Sequence, residues 1–81
     1  MGSMKLSDLS KGKTAVVDQV TLQAEHAVLA RRLFLMGFRP GTRVEMMGRA
    51  PLGDPFVVRV NNQGFGLRRE LTELIEVSPC D

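Results

Sequence analysis

The side chains that could do chemistry in this chain are few. It holds one histidine, His26, and one cysteine, Cys80, with no tryptophan and no tyrosine. Ser3, Ser7, Ser10 and Ser78 lie near the termini, and no nucleophile–base spacing surrounds them. Gly64-Phe65-Gly66 lacks the third glycine and the strand-to-helix setting of a phosphate loop. This inventory argues against an enzyme. For a metal, a closed zinc site takes about four ligands, mostly Cys or His. Glu25 beside His26 supplies half a site, which a second copy of the chain could complete in a weak homodimer. No cofactor is required, and a divalent transition metal held in that way is the one these residues leave room for. A metal-ion sensor acting through His26 and carboxylates is thus the alternative function. The plainer reading of His26 is a solvated side chain near a helix start.

The remaining chemistry is that of surfaces. Val28 and Leu35 share a helix face with Arg31 and Arg32 between them, an apolar patch rimmed by arginine of the kind enriched at interfaces. A neighbouring loop that covers part of it is the plainer reading. The loop Ala50-Pro51-Leu52-Gly53-Asp54-Pro55 is a second candidate. Prolines fix φ near both ends, Gly53-Asp54 supplies turn chemistry, and Leu52 at the tip would bind at low ordering cost. The same residues could serve only to fix strand register. The phenylalanines could stack on single-stranded nucleic acid. Phe56 and Phe65 fall on inward faces, however, and Phe38 belongs to a helix cap, which leaves Phe34 alone.

These residues are positioned by one helix and a set of short strands. Leu29, Leu33 and Met36 recur at helical spacing, and Gly37 follows where a left-handed cap wants no Cβ. Phe38 takes the position whose apolar contact falls back on Leu33, and Pro40-Gly41 turn the chain away. Thr21 is the best N-cap by residue type, without a capping box after it. Strands are expected over 13–20, 42–49, 56–60, 65–68 and 75–77. Single helical turns are expected around Leu6/Leu9 and Leu71/Leu74, and a connection longer than two residues at Asn61-Asn62-Gln63-Gly64. The glycines flanking Phe65 suggest a bend or bulge. Strands this short must close their edges. The expected fold is mainly β: a small SH3-like barrel of about five strands, with one inserted α-helix over an end and two helical turns.

The 81 residues suffice for a single domain with one small core. Met1-Gly2-Ser3 reads as a cloning remnant, 4–77 as the domain and 78–81 as a mobile tail. No apolar run approaches the ~18 residues of a membrane span, and no secretory leader is visible. The lone Cys80 excludes an internal disulfide and suits a reducing cytoplasm. A net charge of +2, with eight arginines scattered from Arg31 to Arg69, is too dilute a stripe for nucleic acid and fits an acidic partner surface.

Three stretches together resemble the FeoA family of bacterial ferrous iron uptake. They are Arg32-Leu33-Phe34-Leu35-Met36-Gly37-Phe38-Arg39-Pro40-Gly41-Thr42, the loop Ala50 to Pro55, and Leu67-Arg68-Arg69-Glu70 before Ile75-Glu76-Val77. The resemblance runs from about Lys5 to Val77. It implies an SH3-like domain, a cytoplasmic location and an accessory role beside the ferrous iron transporter FeoB, with its cytosolic G-protein domain or another cytosolic segment as partner. It implies no catalytic residues. Val28, Arg31, Arg32 and Leu35, then Pro51, Leu52, Gly53 and Asp54, become the residues expected to meet FeoB, with Arg31 and Arg32 as conceivable arginine fingers of a GTPase regulator. Similar domains accompany a DNA-binding helix-turn-helix in metal-dependent repressors. This chain has no room for one, so no DNA binding of that type is expected.

Overall fold

The computed structural model describes residues 3–21 and 27–80. In chain order these form β1 (Met4–Lys5), a 3-10 turn (Leu6–Asp8), β2 (Thr14–Val20), α1 (Ala27–Met36), β3 (Arg43–Arg49), β4 (Phe56–Val60), β5 (Gln63–Leu67), α2 (Arg69–Thr72) and β6 (Ile75–Cys80). The strands make one six-stranded sheet in the order β1-β6-β2-β3-β4-β5, antiparallel at every pairing. Residues from β2, β3, β4, β5 and β6 all enter a single buried cluster with Leu6, Leu9, Leu33 and Phe38. The sheet therefore curls around its apolar face, as a small barrel must to hide its edges.

Alternation sets the inward face. Val44 and Met46 in β3, and Phe56, Val58 and Val60 in β4, are buried between exposed or half-buried neighbours. Leu6 and Leu9 plug one margin of the core, as their spacing predicts.

The helix stop is a Schellman motif. The Phe38 amide donates to the Leu33 carbonyl at 3.0 Å and the Gly37 amide to the Phe34 carbonyl at 3.1 Å, with Gly37 at φ +115°. Phe38 and Leu33 are then buried together, which anchors the end of α1 to the barrel. Burial of two such side chains contributes about 2–3 kcal/mol each.

Four features depart from the sequence-based expectation. Met4–Lys5 forms a sixth strand on β6, too short to leave a pattern. The Asn61-Asn62 connection is a two-residue turn, because Val60 pairs with Gln63 and both asparagines take positive φ, 53° and 65°. That is the type I′ geometry that matches strand twist. Gly64 and Gly66 pair regularly with Arg59 and Val57, so no bulge lies there. Instead, the bulges fall between Val17 and Gln19 in β2 and between Met46 and Gly48 in β3. Residues 78–80, expected as a tail, continue β6, with Ser78, Pro79 and Cys80 opposite Val16, Ala15 and Thr14. β1 covers only Glu76 and Val77 of β6, so the far edge is open by Pro79 and tolerates a residue without an N–H.

Candidate functional site

The helix patch is built by the anchoring of α1. With Ala30 and Leu33 buried against the barrel, helical geometry turns Val28 and Leu35, seven residues apart, to the other side. Val28 is 73% and Leu35 66% exposed, so no loop among the described residues covers them. Arg31 and Arg32 stand exposed between them.

The patch continues into a groove of about 610 Å³, lined by Gln19 and Val20 of β2, Ala27, Ala30, Arg31, Phe34 and Leu35 of α1, and Phe38 and Pro40 beyond it. Phe34 is the member that sequence reasoning set aside. It is 49% exposed, and the Arg39 guanidinium sits 4.6 Å over its ring while Arg39 Nε donates to the Phe34 carbonyl at 3.1 Å. The cue was its spacing: Phe34 lies one residue past the buried Leu33, on the flank of the helix. The result is a groove with an apolar floor, Arg31 in its lining and the Arg39 guanidinium over its Phe34 ring.

The loop after β3 is a closed turn. The Ala50 amide donates to the Pro55 carbonyl at 3.0 Å and the Gly53 amide to the Ala50 carbonyl at 2.7 Å, with Gly53 at φ +89°. Leu52 projects from it at 96% exposure, beside an exposed Pro51. Asp54 faces the other way: its Oδ1 accepts the Arg69 backbone N–H at 2.9 Å and ties the loop to the start of α2. Pro55 lies over Gly66, where an added Cβ would meet it at 3.5 Å.

The structure does not bring the two candidate surfaces together. Groove residue Val20 lies opposite Ile75, beyond the Arg43 end of β3, whereas the loop leaves from Arg49. The seven residues of β3 separate them by about 20 Å. Glu25 and His26 lie outside the described residues. Among the described residues, no three His, Cys, Asp or Glu side chains gather as metal ligands, so they offer no donor set to which a resident metal can be assigned. Thr21, the expected cap, donates its hydroxyl to Glu76 Oε2 at 3.2 Å and its amide to the Leu74 carbonyl at 2.7 Å. No helix of the described residues is long and apolar enough to cross a membrane.

A small curled antiparallel sheet, with one helix capped onto its end and its exposed groups arranged as surfaces, defines the class: a compact SH3-like domain. Residues 4–79 match the model of the FeoA domain. The crystal structure of Stenotrophomonas maltophilia FeoA complexed with zinc, described as a prokaryotic SH3-domain protein, superposes with a TM-score of 0.82 at 38% identity, over 93% of this chain and 89% of that one. The solution structure of iron(II) transport protein A from Clostridium thermocellum superposes with a TM-score of 0.83 at 39% identity, over 94% of this chain and 45% of that one. A fusion of Fe(2+) transport protein A with the Fe(2+) transporter FeoB from Porphyromonas gingivalis is 36% identical over 74 residues, which are 91% of this chain and 8% of that protein. The chain belongs to the FeoA family, whose members are linked to ferrous iron transport.

Proposed function

We propose that this domain is a non-catalytic accessory module of ferrous iron uptake in the cytoplasm, and that it docks on the cytosolic part of FeoB through the α1 face and its groove. One observation carries the reading: Val28, Phe34 and Leu35 stand exposed on an anchored helix, beside a groove lined by Arg31 and with Arg39 over its Phe34 ring. Apolar side chains on a rigid element meet a partner at small entropic cost, and guanidiniums beside them select carboxylates on it. The Porphyromonas gingivalis protein, in which an FeoA-type domain and an FeoB transporter share one chain, supports the choice of partner. Leu52, on its closed turn, is a second contact, made by a different part of the transporter because it stands at the far end of β3.

The test is a Leu35→Glu variant titrated against the purified cytosolic region of the cognate FeoB, with GDP and with a non-hydrolysable GTP analogue. Leu35 is largely exposed, so the variant keeps the thermal midpoint of the parent. Its affinity falls by at least about 2 kcal/mol, the loss typical of a central interface residue. Equal affinity of parent and variant for a partner that binds tightly would move the docking surface off α1.

A further inference from the structure

A second cationic site lies at the opposite end of the barrel. Arg49 ends β3 directly across from Phe56, and Phe56 lies across from Leu67, two residues before Arg69. The side chains of both arginines return over the same ring: Arg49 Cζ lies 4.8 Å and Arg69 Cζ 5.8 Å from the Phe56 centroid. Phe56 is only 1% exposed, so these guanidiniums rest on a fixed part of the core and are not free to sweep through solvent. Asp54 holds the Arg69 main chain through its 2.9 Å bond and so fixes the root of the second side chain.

A guanidinium held over a ring interacts with it through its charge and keeps peripheral N–H donors for other partners. Neither the Arg49 nor the Arg69 guanidinium has a carboxylate within 4.0 Å among the described residues, where the ion pair formed is Arg59–Glu45; the nearby Asp54 carboxylate is engaged by the Arg69 backbone N–H. Two like charges held on one ring repel each other, and a bound anion relieves that repulsion. A carboxylate brings one charge on two oxygens, whereas a phosphoryl group brings three acceptor oxygens and up to about twice the charge, and so binds a pair of guanidiniums more strongly.

We propose that Arg49 and Arg69, held over the Phe56 ring, form a binding site for a phosphoryl group, either free phosphate or a phosphate ester. The site lies away from the α1 groove, at the end of β3 that also carries the Leu52 turn, and its test reads phosphate binding without FeoB.

The test is an amide-shift NMR titration of the whole chain at constant ionic strength, with inorganic phosphate, GDP and acetate in separate arms and chloride as the balancing ion. Inorganic phosphate is expected to shift the amides of Arg49, Phe56 and Arg69 saturably, and acetate is not. GDP binding more tightly than phosphate at the same amides assigns an esterified source, and equal binding assigns free phosphate; either supports the site. Arg69→Lys keeps the charge but loses the planar fork and its flat contact with the ring, so it weakens phosphate about tenfold without unfolding the chain. Arg49→Gln weakens it to a similar degree, and Arg32→Gln on α1 leaves it unchanged. Shifts that never saturate, that chloride alone reproduces, that acetate saturates more tightly, or that survive both Arg69→Lys and Arg49→Gln overturn the proposal.

Discussion

Two hydroxyls converge on one oxygen of Asp18. Ser78 Oγ and Ser3 Oγ each donate to Oδ2 at 2.7 Å, and together, Ser78 first, they hold the Asp18 carboxyl below its ordinary value. Asp18 is the extra residue of the β2 bulge, and the local kink is what aims its side chain at both serines. The sign follows from the folded value being the lower one: the contribution of this contact is present above the unfolded carboxylate range and is lost as pH falls through the folded value. Ser78→Ala removes the larger cause, so the Asp18 carboxyl titrates at higher pH, as a carboxyl-carbon NMR titration will read. An unmoved titration would assign the depression to another source. Gly37 shows a different constraint at the same scale. Its φ of +115° suits glycine, and an added Cβ would lie 2.6 Å from Asn61 Nδ2. Gly37→Ala is expected to cost about 1–3 kcal/mol in urea unfolding, even if the Asn61 amide swings aside, because the backbone strain remains.

Among the elements, α1 and its stop were the most legible in the sequence. Gly37, Phe38 and Pro40 each have a separate physical reason to stand where they do, and the reasons agree. The β3–β4 strands were legible because burial alternates along them. The β4–β5 turn was read as too long, because Gly64 drew the expected turn past Gln63; the paired asparagines were themselves the signal, as the non-glycine residues that best tolerate positive φ. Asn62→Gly removes the residual cost at φ 65° and should raise stability by up to about 1 kcal/mol, measured as a higher urea midpoint at unchanged slope. β1 and the end of β6 escaped the reading because two residues carry no periodicity and a Ser-Pro-Cys sequence has low strand propensity. Their pairing is decided by the partner strand, which local sequence does not reveal. Of the candidate site, periodicity puts Val28, Arg31, Arg32 and Leu35 on one helix face, while the exposure of Val28 and Leu35, against the plainer expectation of a covering loop, is legible only in the structure. Phe34 and the groove beside it were not foreseen, since the groove needs Val20 and Pro40 from outside the helix. Nor were the arginines over Phe56, which only the register of β3, β4 and β5 brings to one ring.

At the scale of the molecule, the α1 patch and the Leu52 turn lie at opposite ends of β3, too far apart to share a partner side chain. Leu35→Glu and Leu52→Glu should therefore weaken FeoB binding by amounts that add in the double variant to within about 0.5 kcal/mol, as isothermal titration of the three proteins can establish. Strong non-additivity would mean that the partner couples the two surfaces through its own rearrangement.

The hydroxyl clasp on Asp18 has a consequence for how the domain can be joined to other chains. β1 and β6 run antiparallel with Met4 beside Val77, so the strand that opens the sheet and the strand that closes it leave on the same side. Cys80 stands level with Thr14, and Thr14 with Glu45, toward the Arg49 end of β3 and away from the groove at Val20 and Pro40. Asp18 ties the closing lead to β2 through Ser78, and Ser3, a residue of the expected cloning remnant, adds the second hydroxyl beside it. The barrel is thus a cassette with both leads on one wall and its helix face on the opposite one. A tether spliced to either lead, as in a single-chain transporter of the Porphyromonas gingivalis kind, leaves the far wall open to swing toward whatever the tethered protein presents.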